Sequence, residues 1–417
     1  MKWLILLTYL AVLAARHGLR WLNLRHLARH GATVPEGFED AVRPEDLQKT
    51  SAYTLARSRL GLLQGLLGSA LLVLFLFGGL LPHYDRWAAS SGGFVLSGTL
   101  FLLGLLLIQT ALDIPFSLYG TFCIEARFGF NTTTWRLWLS DLLKSTLLSL
   151  LLAGLLAAGA LALVSASPDR WWLWVWALFA AVTLFLLYLS PVLIEPLFFR
   201  FEPVRREGLE EEIRRLMGRA GLKVSKVLQV DASRRSRHSN AYFTGIGRVK
   251  RIVLFDTLLE QMEPPETLAI LAHEVGHWKK GHIWKRLLAT EALFLAGCYV
   301  AFRLLHWPGL PELLGLEQAS FCARLVLVAF LGSLAAFPLA PLSSWLSRRA
   351  EWQADRYAAE LTGEPEHLAS ALVRLSRENL ANLHPHPLYA RVYYSHPPIV
   401  ERVRALRRRN TSKETGR

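Results

Sequence analysis

The sequence predicts a mostly α-helical protein that crosses a membrane about seven times and carries a small α+β insert. Three observations predict this fold class: blocks of apolar residues, basic residues sorted by loop, and one polar stretch with strand-like runs. The 417-residue chain is 52% hydrophobic, with a mean hydropathy of +0.28. Both values exceed those usual for soluble proteins. Because several apolar blocks reach the roughly 20 residues that cross a bilayer as a helix, we expect a polytopic membrane protein.

Seven apolar blocks are candidate membrane spans, and the first and sixth are shorter than the others. They lie at about 3–15, 60–81, 94–112, 142–165, 171–193, 288–305 and 320–342. The first block follows Lys2 and ends at Ala14-Ala15, so it also resembles a cleavable signal peptide. The charge distribution of the loops favours a retained span.

Basic residues concentrate in three segments of the chain. Lys and Arg number eight in 16–59, eighteen in 194–287 and thirteen in 347–417, against one each in 82–93 and 166–170. With seven spans the three rich segments fall on one side, which the positive-inside rule makes the cytoplasm. The net charge of +14 therefore indicates contact with membrane lipid. Since no nucleic-acid-binding motif accompanies it, nucleic acid is not an expected partner.

The predicted organisation is membrane region, insert, membrane region, tail. Residues 1–193 form an N-terminal membrane region of five spans with the cytoplasmic loop 16–59, and residues 194–287 form a cytoplasmic insert with the HExxH helix. Residues 288–346 form two further spans, and residues 347–417 form a helical cytoplasmic tail with the third zinc ligand.

The insert reads as alternating helix and strand. An amphipathic helix is predicted at about 203–220, followed by strands at Val224–Val230, Asn240–Ile246 and Arg251–Phe255. Polar turns separate the strands, which predicts a small antiparallel sheet. Two prolines and a glutamate then form a typical helix start, and the following helix is predicted over Thr267–Trp284.

That last helix carries the sequence His-Glu-Val-Gly-His at 273–277. His273 and His277 are four residues apart and share a helix face, and two imidazoles so spaced can bind one zinc ion. Glu274 can take the proton of a water molecule that attacks a carbonyl. Gly276 is a poor helix former, so a close packing partner is expected at that position. The pattern predicts metal-assisted hydrolysis.

A hydrolytic zinc site needs a third protein ligand and one open position. Glu351 and Asp355 lie four apart on a predicted helix in the tail and point the same way. Glu351 can act as the ligand, and Asp355 can accept a hydrogen bond from a ligating histidine and fix its tautomer. Two spans separate Glu351 from His277, which returns both to the same side of the membrane.

Eight dispersed blocks, in order along residues 45–405, resemble the type I CaaX prenyl proteases, which are integral-membrane HExxH zinc endopeptidases. Besides the zinc motif, the matching blocks are Asp113–Tyr119, Ile124–Asn131, Ile194–Phe198, His238–Gly245, Arg251–Thr257, Ser347–Asp355 and His396–Pro398.

The resemblance implies seven helices around an intramembrane chamber, with a zincin-like catalytic insert and one zinc ion at the cytoplasmic end. It implies cleavage after a prenylated cysteine, with release of a C-terminal tripeptide from a hydrophobic or prenylated substrate. It implies His273, His277 and Glu351 as ligands and Glu274 as the base. His396 and Arg402 would lie near the developing oxyanion. The edge strand that pairs with the substrate backbone would be formed by Asn240, Ala241, Tyr242, Phe243 and Thr244.

Two alternatives remain open from sequence alone. A quality-control protease resembling HtpX would carry a similar zinc motif in a shorter chain with fewer spans. A non-catalytic membrane scaffold or transporter would not need Glu274. The composition, rich in Leu, Ala and Arg, favours a bacterial inner membrane, while a eukaryotic host would place the protein in the endoplasmic reticulum.

Overall fold

Long helices dominate the computed structural model, which describes residues 1–244 and 249–414. Seven helical segments of the described chain are long and apolar enough to span a membrane. Each predicted block lies largely within one of them, so the prediction of about seven spans is confirmed. The N-terminal helices are α1 Lys2–His30, α2 Pro44–Phe77, α3 Leu80–Ala89, α4 Phe94–Tyr119, α5 Ala126–Phe128, α6 Trp135–Ala166, α7 Trp171–Leu189 and α8 Glu195–Phe198.

The remaining helices build the insert, the last two spans and the tail. They are α9 Leu209–Arg219, α10 Asp256–Gln261, α11 Pro264–Lys279, α12 His282–Leu305, α13 Phe321–Ala336, α14 Ala340–Thr362, α15 Pro365–Glu378, α16 Pro387–Tyr393 and α17 Ile399–Glu414. Short π turns join α4 to α5 and α7 to α8, and a 3₁₀ turn joins α13 to α14. The seventh span therefore continues as one helical segment into the tail.

The second span begins and ends earlier in the structure than the predicted 60–81. Helix α2 ends at Phe77, because Gly79 takes a left-handed conformation with φ of 87° and a new helix starts at Leu80. The apolar block continues past this break because hydropathy depends on side-chain polarity and carries no information about backbone dihedral angles.

The spans do not pack into a solid bundle. In the most apolar 18-residue window of each span, 11% of residues or fewer are buried. A solid bundle would bury the inward stripe of every helix. Most residues of the spans are therefore not fully buried by the described chain, and the chamber implied by the resemblance stays a prediction. The helices pack against one another in an apolar cluster on the side of the membrane opposite the insert. This cluster includes Leu81, Phe101, Trp171, Leu310 and Leu327.

The sheet of the insert is mixed, so the prediction of an antiparallel sheet is wrong. Its strands are β1 Phe201–Pro203, β2 Lys223–Val230, β3 Ala241–Thr244 and β4 Val249–Phe255, in the order β1-β2-β4-β3. Strands β2 and β4 pair in parallel, while β1 with β2 and β3 with β4 are antiparallel. The connection after β2 is too long for a tight hairpin and carries the chain past the β4 position. Strand β3 therefore lies at the sheet edge, and the predicted strand residues Gly245 and Ile246 fall outside the described residues.

Two predicted helices of the insert are shorter in the structure. The helix expected at 203–220 begins at Leu209, after Gly208 with φ of 74°. The helix expected at Thr267–Trp284 ends at Lys279, because Gly281 has φ of 67°, and α12 starts at His282. The second break changes the direction of the chain just after the His-Glu-Val-Gly-His sequence.

The insert and the tail share one hydrophobic core. Buried residues of α9, α11, α14, α15 and α17 meet the sheet in a single cluster. Two residues of the loop between α1 and α2, Phe38 and Val42, join that cluster with Leu47 from the first turn of α2, and all three are at most 4% exposed. These three segments, far apart in sequence, therefore fold as one body at the end of the spans.

Candidate active site

Helix α11 brings His273 and His277 to one face, as the four-residue spacing predicts. A capping box at Glu263 and Glu266 and the proline at the first helical position define its start. His273 is buried at 7% exposure, and His277 is partly buried. Their Nε2 atoms face each other at 3.2 Å.

Helix α14 supplies a carboxylate to the same point. Glu351 is 4% exposed, with Oε1 at 3.2 Å from His277 Nε2 and Oε2 at 3.4 Å from His273 Nε2. One ligand atom from each of these three residues lies within 4.8 Å of the other two. The structure thus brings together the three residues predicted as ligands, which reach the site from helices separated by two spans.

Asp355 fixes the tautomer of His273. Its Oδ1 lies 2.8 Å from His273 Nδ1, so Nδ1 carries the proton and Nε2 presents a lone pair to the shared point. Burial lowers the pKa of His273, but Asp355 and Glu351 outweigh it and raise the pKa to about 9, so a ring with no cation at the shared point takes up a second proton on Nε2. The two carboxylates therefore stabilise a positive charge at or beside this ring.

The donor set fits a zinc ion. Glu351 Oε2 is buried and has no hydrogen-bond partner among the described residues when His273 is neutral with its proton on Nδ1. Two imidazole nitrogens and one carboxylate are a known zinc ligand set for hydrolytic enzymes. A buried oxygen with no donor is costly, and a cation at the shared point would satisfy it.

Glu274 follows the first histidine and stays partly accessible. Burial raises the pKa of its carboxyl group above the usual value, although the nearby His273 and His277 act in the opposite direction. The carboxylate thus stands beside the metal-binding point with access to solvent, as a base for water requires.

Gly276 permits the close approach of α11 to α14. A Cβ atom at this position would lie 2.9 Å from Ala354 Cα and 3.0 Å from the Ala354 carbonyl oxygen. These are backbone atoms of the helix that carries Glu351, so they cannot move aside without shifting that helix. The glycine that weakens α11 locally is therefore required by the packing.

We expect Gly276→Ala to lower both stability and zinc affinity. Alanine normally stabilises a helix by about 1 kcal/mol over glycine, but overpacking here should cost about 1–3 kcal/mol and displace Glu351 from the histidines. Gly218→Ala in α9 is the matched control, because its Cβ would meet nothing within 4 Å. Thermal unfolding and zinc titration of both variants in detergent would measure this. A Gly276→Ala protein that behaves like the control would contradict the packing argument.

Arg402 and His396 both reach Glu351. Arg402 is 6% exposed and donates to Asp355 from Nε at 2.8 Å and from Nη2 at 2.6 Å. Its Nη1 lies 3.6 Å from Glu351 Oε2. The exposed His396 has its Nε2 3.3 Å from Glu351 Oε1. The two residues predicted near the oxyanion thus adjoin the metal-binding point. Arg402 also lies between the carboxylates of Glu351 and Asp355.

The predicted substrate strand lies at the sheet edge. Residues Ala241–Thr244 form β3, which pairs with β4 on one side and packs against α11. Asn240 precedes the strand, and its carbonyl accepts a hydrogen bond from Phe255 N at 3.0 Å. Tyr242 donates to Glu195 at 2.8 Å. The strand is thereby fixed both to the sheet and to the fifth span.

A polar cluster beside this strand was not assigned a role from sequence. His238 contacts Glu125 Oε2 at 3.3 Å and Asn379 Oδ1 at 2.8 Å. Tyr53 donates to Glu125 Oε1 at 2.8 Å. The cluster joins α2, the π turn after α4, the insert and the tail. Glu125 and His238 lie in two of the eight matching sequence blocks, but only the folded chain shows that they meet Tyr53 and Asn379.

Two family models match the sequence. "CAAX prenyl protease N-terminal, five membrane helices" matches residues 23–200, and "Peptidase family M48" matches residues 203–410. A CAAX prenyl protease 1 homolog of Arabidopsis thaliana is 35% identical over 405 residues, which cover 93% of each chain. The chain belongs to peptidase family M48.

Further relatives of this M48 peptidase resemble it along nearly their whole length. The CAAX prenyl protease 1 of Saccharomyces cerevisiae is 32% identical over 400 residues, covering 89% of this chain and 88% of the relative. The human homolog is 30% identical over 434 residues, covering 92% and 90%. The crystal structure of S. mikatae Ste24p superposes with a TM-score of 0.90 at 28% identity, covering 97% and 98%.

Membership and fold identify this M48 peptidase as a membrane metalloendopeptidase of the CaaX type. The near-complete coverage favours this type over the shorter HtpX-like protease. The peptidase family likewise favours an enzyme over a scaffold or transporter. The resemblance inferred from the eight sequence blocks is confirmed.

Proposed function

We propose that this M48 peptidase is a zinc endopeptidase that cleaves on the carboxyl side of a prenylated cysteine and releases a C-terminal tripeptide. One observation carries the proposal: His273, His277 and Glu351 converge within 4.8 Å beside Glu274, in a chain with seven candidate membrane spans. The similarity to CAAX prenyl protease 1 proteins along both halves of the chain supports the substrate class.

Each part of the chain has a role in this reaction. A zinc ion held by His273, His277 and Glu351 would lower the pKa of a water molecule and polarise the scissile carbonyl. Glu274 takes the proton of the attacking water and delivers it to the leaving amine. His396 and Arg402 oppose the negative charge that develops on the carbonyl oxygen.

Substrate position follows from the neighbouring elements. Edge strand β3 offers backbone donors and acceptors to an extended peptide, a common recognition mode. A chamber between the spans, as the resemblance implies, would offer an apolar environment for the lipid. The distribution of basic residues supports an active site that faces the cytoplasm, in a bacterial inner membrane or, in a eukaryotic cell, the endoplasmic reticulum.

The test is cleavage of a farnesylated CaaX peptide by the detergent-purified protein. We expect release of the C-terminal tripeptide, its loss on treatment with a zinc chelator, and its return when zinc is restored. The unprenylated peptide of the same sequence is the matched control and should be cleaved more slowly. Activity that survives metal removal would contradict the zinc mechanism. Zinc-loaded protein that leaves the farnesylated peptide intact would contradict the substrate class.

A further inference from the structure

The break between α11 and α12 turns His282 back toward the metal-binding point. His282 follows His277 by five positions, a spacing that places side chains on different faces of a continuous helix. Because Gly281 adopts φ of 67° and starts a new helix, the two rings meet with centroids 5.2 Å apart. Their Nδ1 atoms are 3.0 Å apart.

A third residue determines the direction of this hydrogen bond. Gln353 Oε1 lies 2.9 Å from His282 Nε2. An amide oxygen only accepts, so His282 Nε2 carries the proton. A neutral imidazole has one N–H, so His282 Nδ1 accepts and His277 Nδ1 donates. The Nε2 of His277 is then left with a lone pair, directed to the point that it shares with His273 and Glu351.

We propose that His282 and Gln353 are positioning residues that hold His277 in its metal-binding tautomer. The inference rests on the proposed zinc site. In this arrangement His282 and Gln353 orient His277, as Asp355 orients His273. Helix α14 then has three tasks within two turns: Glu351 supplies a ligand, Asp355 orients one histidine, and Gln353 orients the other through His282.

The opposite arrangement shows why an acceptor is needed at residue 353. If the side chain there donated to His282 Nε2, the proton of His282 would sit on Nδ1. His282 would then donate to His277 Nδ1, and the proton of His277 would occupy Nε2, where the metal must bind. An acceptor at residue 353 and an acceptor at residue 282 therefore both favour zinc, while apolar side chains leave His277 free to change tautomer.

The experiment measures zinc affinity by chelator competition in the full-length protein in detergent, together with the visible spectrum of the Co²⁺-substituted form. We expect His282→Leu and Gln353→Met to bind zinc about 10- to 100-fold more weakly, the range usual for partners of ligating histidines. His282→Gln and Gln353→Glu keep an acceptor and should stay close to the wild type. The control His306→Leu removes a histidine at the far end of α12, where its ring contacts the Phe302 carbonyl.

The outcomes separate this inference from the proposed function. Wild-type affinity and an unchanged Co²⁺ spectrum in both His282→Leu and Gln353→Met would overturn the inference and leave the zinc site intact. If His282→Gln and Gln353→Glu folded but bound as weakly as the apolar variants, acceptor chemistry would not be the cause, and the inference would again fail. A wild-type protein that binds no zinc would overturn the proposed function as well. Should His282→Leu not fold, the two Gln353 variants still decide.

Discussion

Glu274→Gln is expected to lose turnover by about 10²- to 10⁴-fold, the usual contribution of a positioned general base, and to retain its zinc. Glutamine has nearly the same size and preserves the helix, but its amide cannot accept the proton of the attacking water. The three residues that converge on the metal-binding point are His273, His277 and Glu351, so metal content should not change.

The measurement is the rate of tripeptide release from the farnesylated peptide, paired with metal analysis of the same sample. Glu260→Gln makes the same charge change at an exposed residue of α10 and should match the wild type. Near-normal turnover in Glu274→Gln would assign the base to another residue. Loss of zinc together with activity would instead make Glu274 part of the metal site.

Glu351→Ala is expected to lose most of its zinc affinity, by more than the about 10- to 100-fold typical of a residue that only orients a ligand. The change removes one of three protein ligands and leaves two histidines, a set too small for a stable hydrolytic site. It also removes a carboxylate that is 3.6 Å from Arg402 Nη1. Arg402 keeps its two hydrogen bonds to Asp355, so the fold should survive.

Zinc competition titrations and thermal unfolding would separate these effects. Glu360→Ala is the matched control, because Glu360 lies on the same helix and is exposed. We expect the control to bind zinc as the wild type does. Full zinc occupancy in a folded Glu351→Ala protein would place the third ligand elsewhere.

Much of the fold class could be predicted because its signals are local. Each span is a contiguous apolar block, and bilayer thickness sets its length. The spacing of His273 and His277 places both on one helix face wherever that helix packs. The errors arose where one backbone angle decides the outcome. Gly79 and Gly281 each interrupt helical patterns that hydropathy and side-chain periodicity alone would continue.

The sheet shows a second kind of limit. Its strands were recognised from their residues, but not the parallel pairing of β2 with β4. Strand order depends on which route the connecting chain takes across the sheet, and the polar residues of that connection suit a hairpin and a crossover equally well. The edge position of β3 therefore came from the structure.

The sequence by itself determined the membrane class and the number of spans, and it singled out the two histidines and the glutamate proposed as the base, since each follows from periodicity or spacing within about twenty residues. Only the tertiary structure decided that Glu351 reaches these histidines, that Ala354 requires glycine at 276, and that Gln353 reaches His277 through His282. These contacts join α14 to α11 and the start of α12, which two spans separate in sequence. The physical reason is that packing between helices depends on the whole path of the chain, whereas local patterns record only which face each helix buries.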